Sequence, residues 1–492
     1  MNCTFAAHKN LSMRFLFLLI FTVSVFQAKA QIVKNEQKIG WRGGTENVKL
    51  NSFPNKDRSL NCVFLSSPEY LKGFVYDSKL EVKHSFNYFN LPNQNIIGGF
   101  FGDTTLTVIL KSNNLGDFRS LIFSLKNDSL IANQVLTTYI DDKNYVGGMN
   151  AGDDFYCISS GKKIPFLSVS NFKTQSKISE NIYELNKGLN TNLTDREMYK
   201  ALTEANGAFN RITNIAFIDE FVKPSADEAK FKNKMYLRND SLILTTDDKF
   251  SETKLFTLKL NSNFCTYKNI KFPFFNPSTA TELYNNSNSS IVENTLYHLY
   301  ANSDHLQLCA FNLGINDTLA NYLVYQEQEI NFKNTDILQE GTAISRKETK
   351  ILKTNQFLRK ISNGNALISG TKNQNGLHEI TVGAYRITEN NNYTPMVMGG
   401  GLLGVAIAGG VAAALGTNKS WTMVSRFKSL FDPTTSKHIP GEITETGSDL
   451  IDDYVKDVKM PSQGSDTFYS DGNTYYTYYD NDLKSLITIQ LK

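Results

Sequence analysis

Residues Asn95–Asn127 read NIIGGFFGDTTLTVILKSNNLGDFRSLIFSLKN, and residues Asn144–Lys173 read NYVGGMNAGDDFYCISSGKKIPFLSVSNFK. With a one-residue gap the two align, sharing Asn95 with Asn144, Gly98-Gly99 with Gly147-Gly148, and Asp103 with Asp153. Each is a turn residue, an alternating strand, a short polar hairpin and a second strand, and period-two alternation is the mark of β structure. Looser copies begin at Asn239, Glu293, Asn363 and Asp471, and a worn one at Leu60. The pattern speaks to architecture, not to activity.

A unit of two to four antiparallel strands can bury only one face by itself. Similar units must therefore stack, in a line or in a ring, and radial stacking also removes long exposed edges. Gly-Gly at the head of the two best copies suits an innermost strand, where backbones converge and side chains have little room. The last copy stops after three strands (about 466–473, 474–482 and 483–492), so its outer strand is missing. Trp41–Leu50 precedes the first copy and is expected to fill that place.

On these residues the chain, over about 35–492, resembles uncharacterised exported β-propeller-like proteins, a family pattern with no assigned activity. It lacks the Trp-Asp dipeptides of WD40 blades and the regularly spaced glycine doublets of kelch. The expected fold is all-β: a β-propeller of seven irregular four-stranded blades, six being the alternative, closed by pairing of an N-terminal strand. Uneven spacing of the copies places insertions at about 186–232, 396–416 and 440–463 within a single domain, 31–492.

Residues 1–30 read as a signal peptide. Arg14 precedes the apolar run FLFLLIFTVSVF, which ends at the small-residue site Ala28-Lys29-Ala30. The chain is therefore expected to be exported, to a periplasmic, cell-surface or extracellular location. Removing Lys9, Arg14 and Lys29 takes the net charge from +3 to zero, which gives no reason to propose nucleic acid as a partner. Cys62, Cys157, Cys265 and Cys309 remain. A chain this long needs no staples, so buried free thiols are expected over disulfides.

Two insertions carry helix signals. Thr194 and Glu197 form a capping box, with Leu193 and Met198 as its staple and Gly207 as a stop, which predicts a helix over about 195–205. Ser448 caps a second, about 449–459, with Leu450, Ile451, Tyr454, Val455 and Val458 at helical spacing before Pro461. The third insertion, Met396–Gly416, has no charge over a length that would span a membrane. Gly400, Gly404, Ala408, Ala412 and Gly416 recur every fourth position, a stripe suited to close association or membrane contact. Its glycine content weakens any water-exposed helix, and an insertion between blades is the preferred reading.

Catalytic motifs are absent at the level of sequence. There is no G-x-S-x-G elbow, and His378-Glu379 has no second histidine at zinc spacing. SDGNTY (Ser470–Tyr475) is read as a turn at Asp471-Gly472. The paired acids Asp141-Asp142, Asp153-Asp154, Asp247-Asp248, Asp452-Asp453 and Asp480/Asp482 are read as turn residues rather than acid/base pairs or calcium ligands. No cofactor is expected, calcium being the one weighed. Phe468, Tyr469, Tyr475, Tyr476, Tyr478 and Tyr479 are read as cross-strand pairs rather than a ligand surface. The expectation is a non-catalytic binding or scaffold module with a protein or carbohydrate ligand. A carbohydrate-active enzyme with carboxylates at the channel mouth, and an envelope-associated protein held by 396–416, are the alternatives.

Overall fold

A computed structural model describes residues 33–491 apart from several connections, chiefly 40–47, 186–193, 273–285, 341–347, 389–420, and 444–461 save 449–451 and 454. Among the described residues there are seven sheets of four or five strands and one two-stranded hairpin. In chain order the first sheet spans 49–89, the second 94–136, the third 143–184, the fourth 216–271 and the fifth 286–325. The sixth spans 337–431, and the seventh joins 462–491 to Val33–Lys38. All pairings are antiparallel except Ala216–Ile218 beside Asn233–Arg238.

Strands such as Leu60–Ser66 are buried on both faces, because each gap between successive sheets holds its own apolar cluster. Leu50 and Tyr76 meet Phe468 and Leu486 between the seventh and first sheets. Phe53 and Phe64 meet Ile96 and Leu106 between the first and second, and Ile109 meets Phe155 between the second and third. The series continues with Leu167 against Leu244, Tyr236 against Ile291, and Leu306 against Ile368. Between the sixth and seventh sheets the contact is indirect: Ile451, in a helical stretch, packs on Tyr476 and Ile487, while its neighbour Asp449 binds Lys428 of the sixth sheet at 2.5 Å.

The paired glycines sit where crowding was expected, on the innermost strands Gln94–Phe101 and Lys143–Ala151. A Cβ on Gly99 would lie 2.3 Å from the Thr107 carbonyl oxygen and 2.5 Å from the Phe53 ring of the adjacent sheet. Gly99→Ala is therefore expected to cost about 1–3 kcal/mol as overpacking, measured by urea denaturation. An unchanged midpoint would show that this convergence is looser than described.

An N-terminal strand does pair with the last copy, but it differs from the one expected. Val33–Lys38 pairs with Ser485–Leu491, Lys34 opposite Ile489 and Gln37 opposite Leu486. Its residues alternate between exposed and half-buried, as an outer strand's should. Lys49–Pro54, with Leu50 and Phe53 buried, instead opens the first sheet, and Trp41 lies outside the described residues.

The first predicted helix, α1, runs Asp195–Leu202 with both halves of its capping box formed, Glu197 N to Thr194 Oγ1 at 3.3 Å and Thr194 N to Glu197 Oε2 at 2.8 Å. It ends three residues before the expected 205. Thr203 is extended and opens a hairpin with Asn210–Thr213, since a β-branched residue followed by a strand partner favours the ladder. Leu193 and Gly207 lie outside the described residues. Of the helix over 449–459, residues 449–451 and 454 are described as helical. Two further helices, α2 (Ala226–Ala229) and α3 (Thr354–Ser362), had not been anticipated.

The sixth sheet departs most from the repeat. Its order places Asn365–Lys372 innermost, then His378–Thr388, then Trp421–Phe431, then the upstream strand Ile337–Glu340, with Thr349–Ile351 at the edge. The glycine-rich insertion therefore does not lie between blades as expected. It connects two paired strands of one sheet, with Thr388 directly opposite Trp421. The four cysteines among the described residues are free thiols, and Cys62, Cys157 and Cys309 are buried.

Candidate functional site

The parallel pairing of Ala216–Ile218 with Asn233–Arg238 demands a crossover between them. Residues 219–232 make that crossover, α2 included, and touch four other sheets on the way. Arg58, in the turn that follows Lys49–Pro54, grips Asp219 with Nη2 at 3.1 Å from both carboxylate oxygens. Its guanidinium lies 4.0 Å from the centre of the Phe221 ring. Phe221 in turn stacks on Tyr469 of the seventh sheet at 5.8 Å and 24°. Phe221 is 56% exposed, so the stack presents an aromatic face to solvent above a half-buried guanidinium.

Further along, Lys223 Nζ reaches Glu379 Oε1 at 3.0 Å and Asp449 Oδ1 at 3.4 Å. Lys428 reaches the same two acids, at 3.5 Å and 2.5 Å. Glu379 is fully enclosed, and among the described residues its Oε2 has no hydrogen-bond partner. Burial draws the Lys223 amine down against the pull of the two acids. For Lys428 the Asp449 and Glu379 charges outweigh burial and hold its amine up. Two cations and two anions thus join the crossover, the sixth sheet and the 449–454 stretch.

The crossover also carries a carboxylate toward the innermost strands. Glu228 closes a capping box with Ser225, whose N and Oγ donate to Oε2 at 2.8 and 3.0 Å. Burial raises the Glu228 carboxyl, and the charges of Asp227 and Asp466 add to that rise. Asp466, on the innermost strand Ser462–Ser470, accepts from Ser52 N at 2.6 Å and Ser52 Oγ at 2.8 Å, across to the first sheet. Burial lifts its carboxyl to about 6. Two carboxylates with displaced titrations therefore lie within each other's field, and each already accepts from backbone N–H groups.

Beneath the crossover is a buried polar layer on Asn286–Val292, where Asn286, Ser287, Asn288, Ser289 and Ser290 are all buried. Asn288 Nδ2 donates to Ala229 O at 3.0 Å and Ala366 O at 2.8 Å. Lys234 Nζ donates to Asn288 Oδ1 and, at 2.6 Å, to Ser289 O. Asp247 accepts from Thr253 Oγ1 at 2.6 Å and Ser289 Oγ at 2.7 Å. Burial takes the Lys234 amine down to about 7 and pushes the Asp247 carboxyl up. The Asp247-Asp248 pair is thus no turn: Asp247 is walled in, and Asp248 pairs with Lys254.

Other sequence candidates separate. His378 and Glu379 alternate on one strand and face opposite ways. His378 Nδ1 lies 2.9 Å from Tyr297 Oη and Nε2 lies 3.2 Å from Glu293, while Glu379 meets the lysines. Among the described residues no three His, Cys, Asp or Glu side chains converge as metal ligands. Asp153 reaches Lys56 at 3.9 Å, and Asp480 accepts from the N–H groups of Asp482 and Leu483 in a turn. Asp141-Asp142 and Asp452-Asp453 lie outside the described residues. Asp471 and Gly472 both take positive φ, 46° and 78°, the hairpin turn expected there. Of the six clustered aromatics, Phe468, Tyr475, Tyr476, Tyr478 and Tyr479 are buried, and Tyr469 alone reaches the stack.

The stripe Gly400, Gly404, Ala408, Ala412 and Gly416 lies outside the described residues, whereas Thr388 and Trp421, which flank the connection 389–420, are described. Thr388 and Trp421 are paired neighbours, about 5 Å apart. Among the described residues no helix is long and apolar enough to cross a membrane.

Sequence reasoning found the turns and the α1 capping box but missed Arg58, Phe221, Lys223, Glu228, Glu379 and Asp466 as a group. The one legible signal was Ser225 followed three residues later by Glu228, a second capping box.

The chain thus belongs, by its own sheets, to the all-β proteins built from successive, mostly four-stranded antiparallel sheets, an organisation like that of β-propellers. No family model and no curated protein matches it. Solved structures similar to it include the β-propeller domain of Nup133 from Vanderwaltozyma polyspora (TM-score 0.38, 9% identity, 95% of this chain and 98% of that one). A DUF4221 family member from Bacteroides vulgatus is similar at TM-score 0.34 and 9% identity, over 93% and 98% of the two chains. A prolyl endopeptidase is similar at TM-score 0.35 and 10% identity over 88% of this chain, which spans about half that enzyme's length (46%).

Proposed function

We propose that the chain is an exported, non-catalytic binding or scaffold module: seven blades in a ring, closed by Val33–Lys38, with a ligand face at the crossover. The exposed Arg58–Phe221–Tyr469 stack carries this reading. Aromatic and arginine side chains held rigid by neighbours are the residue types that dominate binding surfaces. Here Asp219 fixes the guanidinium and Tyr469 supports the ring, so little side-chain freedom is lost on binding. A protein or a carbohydrate ring would each find a flat apolar face beside a cation.

The test places a photo-crosslinking amino acid at Phe221 in the producing cells, with Phe264 as the control. Phe264 is 59% exposed and belongs to another turn. An adduct specific to position 221, lost with Arg58→Ala, is expected. Equal labelling at both positions, or none at 221, would sink the reading.

A second reading has its own observation in Glu228 and Asp466, a carboxylate pair with raised titrations, since a carboxylate-pair enzyme acting on carbohydrate needs one of its two acids held protonated and the other ionised. It is weakened by the backbone donors that already occupy both groups. Turnover of aryl glycosides abolished by both Asp466→Asn and Glu228→Gln would favour it over the binding module. Envelope association through 396–416 is the third reading, and the paired ends of that connection favour shallow entry and return over a span. Deleting Gly399–Gly416 should then move the chain from the membrane to the soluble fraction, and no redistribution would remove this reading.

A further inference from the structure

Among the described residues each sheet ends in an outer strand paired on one side only, and charge is the usual guard on such an edge. Six of the seven outer strands carry charge, for example Lys34, Lys83, Glu180, Lys268, Asp317 and Lys350. The outer strand of the second sheet, Leu130–Leu136, reads LIANQVL and carries none. Among the described residues it pairs on one side only, with Phe118–Ser124. Leu130, Ile131 and Val135 are 37%, 56% and 62% exposed.

We propose that this edge pairs with the same edge of a second copy of the chain. A two-fold axis normal to an antiparallel sheet sets a central residue opposite itself and preserves which face every side chain occupies. With Asn133 on the axis, Ile131 faces Val135 and Ala132 faces Gln134, while Leu130, beyond the irregularity at Ile131, falls outside this register. Apolar side chains thus meet on the exposed face, amide meets amide at the centre, and no charge is desolvated or repelled. The strand is nearly its own complement.

Two observations set the strength. The ladder to Phe118–Ser124 slips between Ala132 and Leu130, leaving Ile131 in a bulge, so the shared seam is about five residues long. Such a seam is shorter than the roughly 1,200 Å² of buried surface that a stable interface needs. Association is therefore weak and concentration dependent. Asn133 also donates to Tyr88 Oη of the first sheet at 2.8 Å, which holds the strand in place before any partner arrives.

Sedimentation equilibrium on the full chain tests this, with circular dichroism melting to show that each variant is folded. Wild type should dimerise as its concentration rises. Ile131→Lys and Val135→Asp, both at exposed positions, should each weaken dimerisation about tenfold or more. Mixing the two should restore it, because the introduced ammonium of one faces the introduced carboxylate of the other. A wild type that stays monomeric throughout overturns the proposal and leaves the edge to a strand of another protein. A dimer that both variants leave intact overturns it too, and failure of the mixture to associate overturns the register.

Discussion

Glu379→Ala is expected to lower stability by about 3–5 kcal/mol, the cost of stripping one partner from a buried ion pair. Glu379 is the only fully enclosed member of the Lys223–Glu379–Lys428–Asp449 group. Without it two ammonium groups share the single carboxylate of Asp449 in a confined space, and Lys223 loses its 3.0 Å contact. The loss falls on three elements at once, since the four residues come from the crossover, the sixth sheet and the 449–454 stretch. Chemical denaturation measures it. Lys223→Met combined with Glu379→Leu removes both charges together and should recover much of the loss, because an apolar pair needs no solvation. A Glu379→Ala change under about 1 kcal/mol would mean that water reaches the group and screens it.

Between pH 10 and pH 7 the wild type should lose stability on the order of 2–4 kcal/mol that Lys234→Met does not lose. Burial brings the folded-state pKa of Lys234 to about 7, below the ordinary 10.5, so the fold prefers the neutral amine. That preference contributes in full above the unfolded value and is lost as pH falls through about 7. The ammonium's neighbours here are neutral, Asn288 Oδ1 and Ser289 O, and the nearest acid, Asp247, has its carboxyl raised by burial. Lys234→Met also removes one donor from Ser289 O and one from Asn288 Oδ1, which keeps its bond from Ser289 N, a cost of about 1–3 kcal/mol at any pH. The observable is therefore the slope: urea midpoints of both proteins across this range. Parallel slopes would show that Lys234 stays charged in the fold.

Both results depend on contacts that no stretch of sequence displays. The repeat itself was legible, because alternation, paired glycines and turn residues act over a few positions: Gly98-Gly99 and Gly147-Gly148 sit on innermost strands, and Asp471-Gly472 forms its turn. The α1 capping box was legible for the same reason, with its two hydrogen bonds joining residues three apart. The sixth sheet was misread. Its two outer strands, Ile337–Glu340 and Thr349–Ile351, come before its inner ones, and the glycine-rich connection interrupts a hairpin. Pattern reading takes neighbours in sequence for neighbours in space.

What the amino-acid sequence determined by itself is the set of local units: all-β copies, their turns, one helix start, and an N-terminal strand to complete the last copy. The tertiary structure alone decided which strand that is, Val33–Lys38, and where the crossover lies. It alone brought Arg58 to Asp219 across 161 positions and Lys223 to Glu379 across 156. The physical reason is range. Backbone propensity and turn chemistry are settled within a few residues, whereas burial, charge pairing and the titrations of Lys234, Glu228 and Asp466 are set by whichever sheets stacking places side by side.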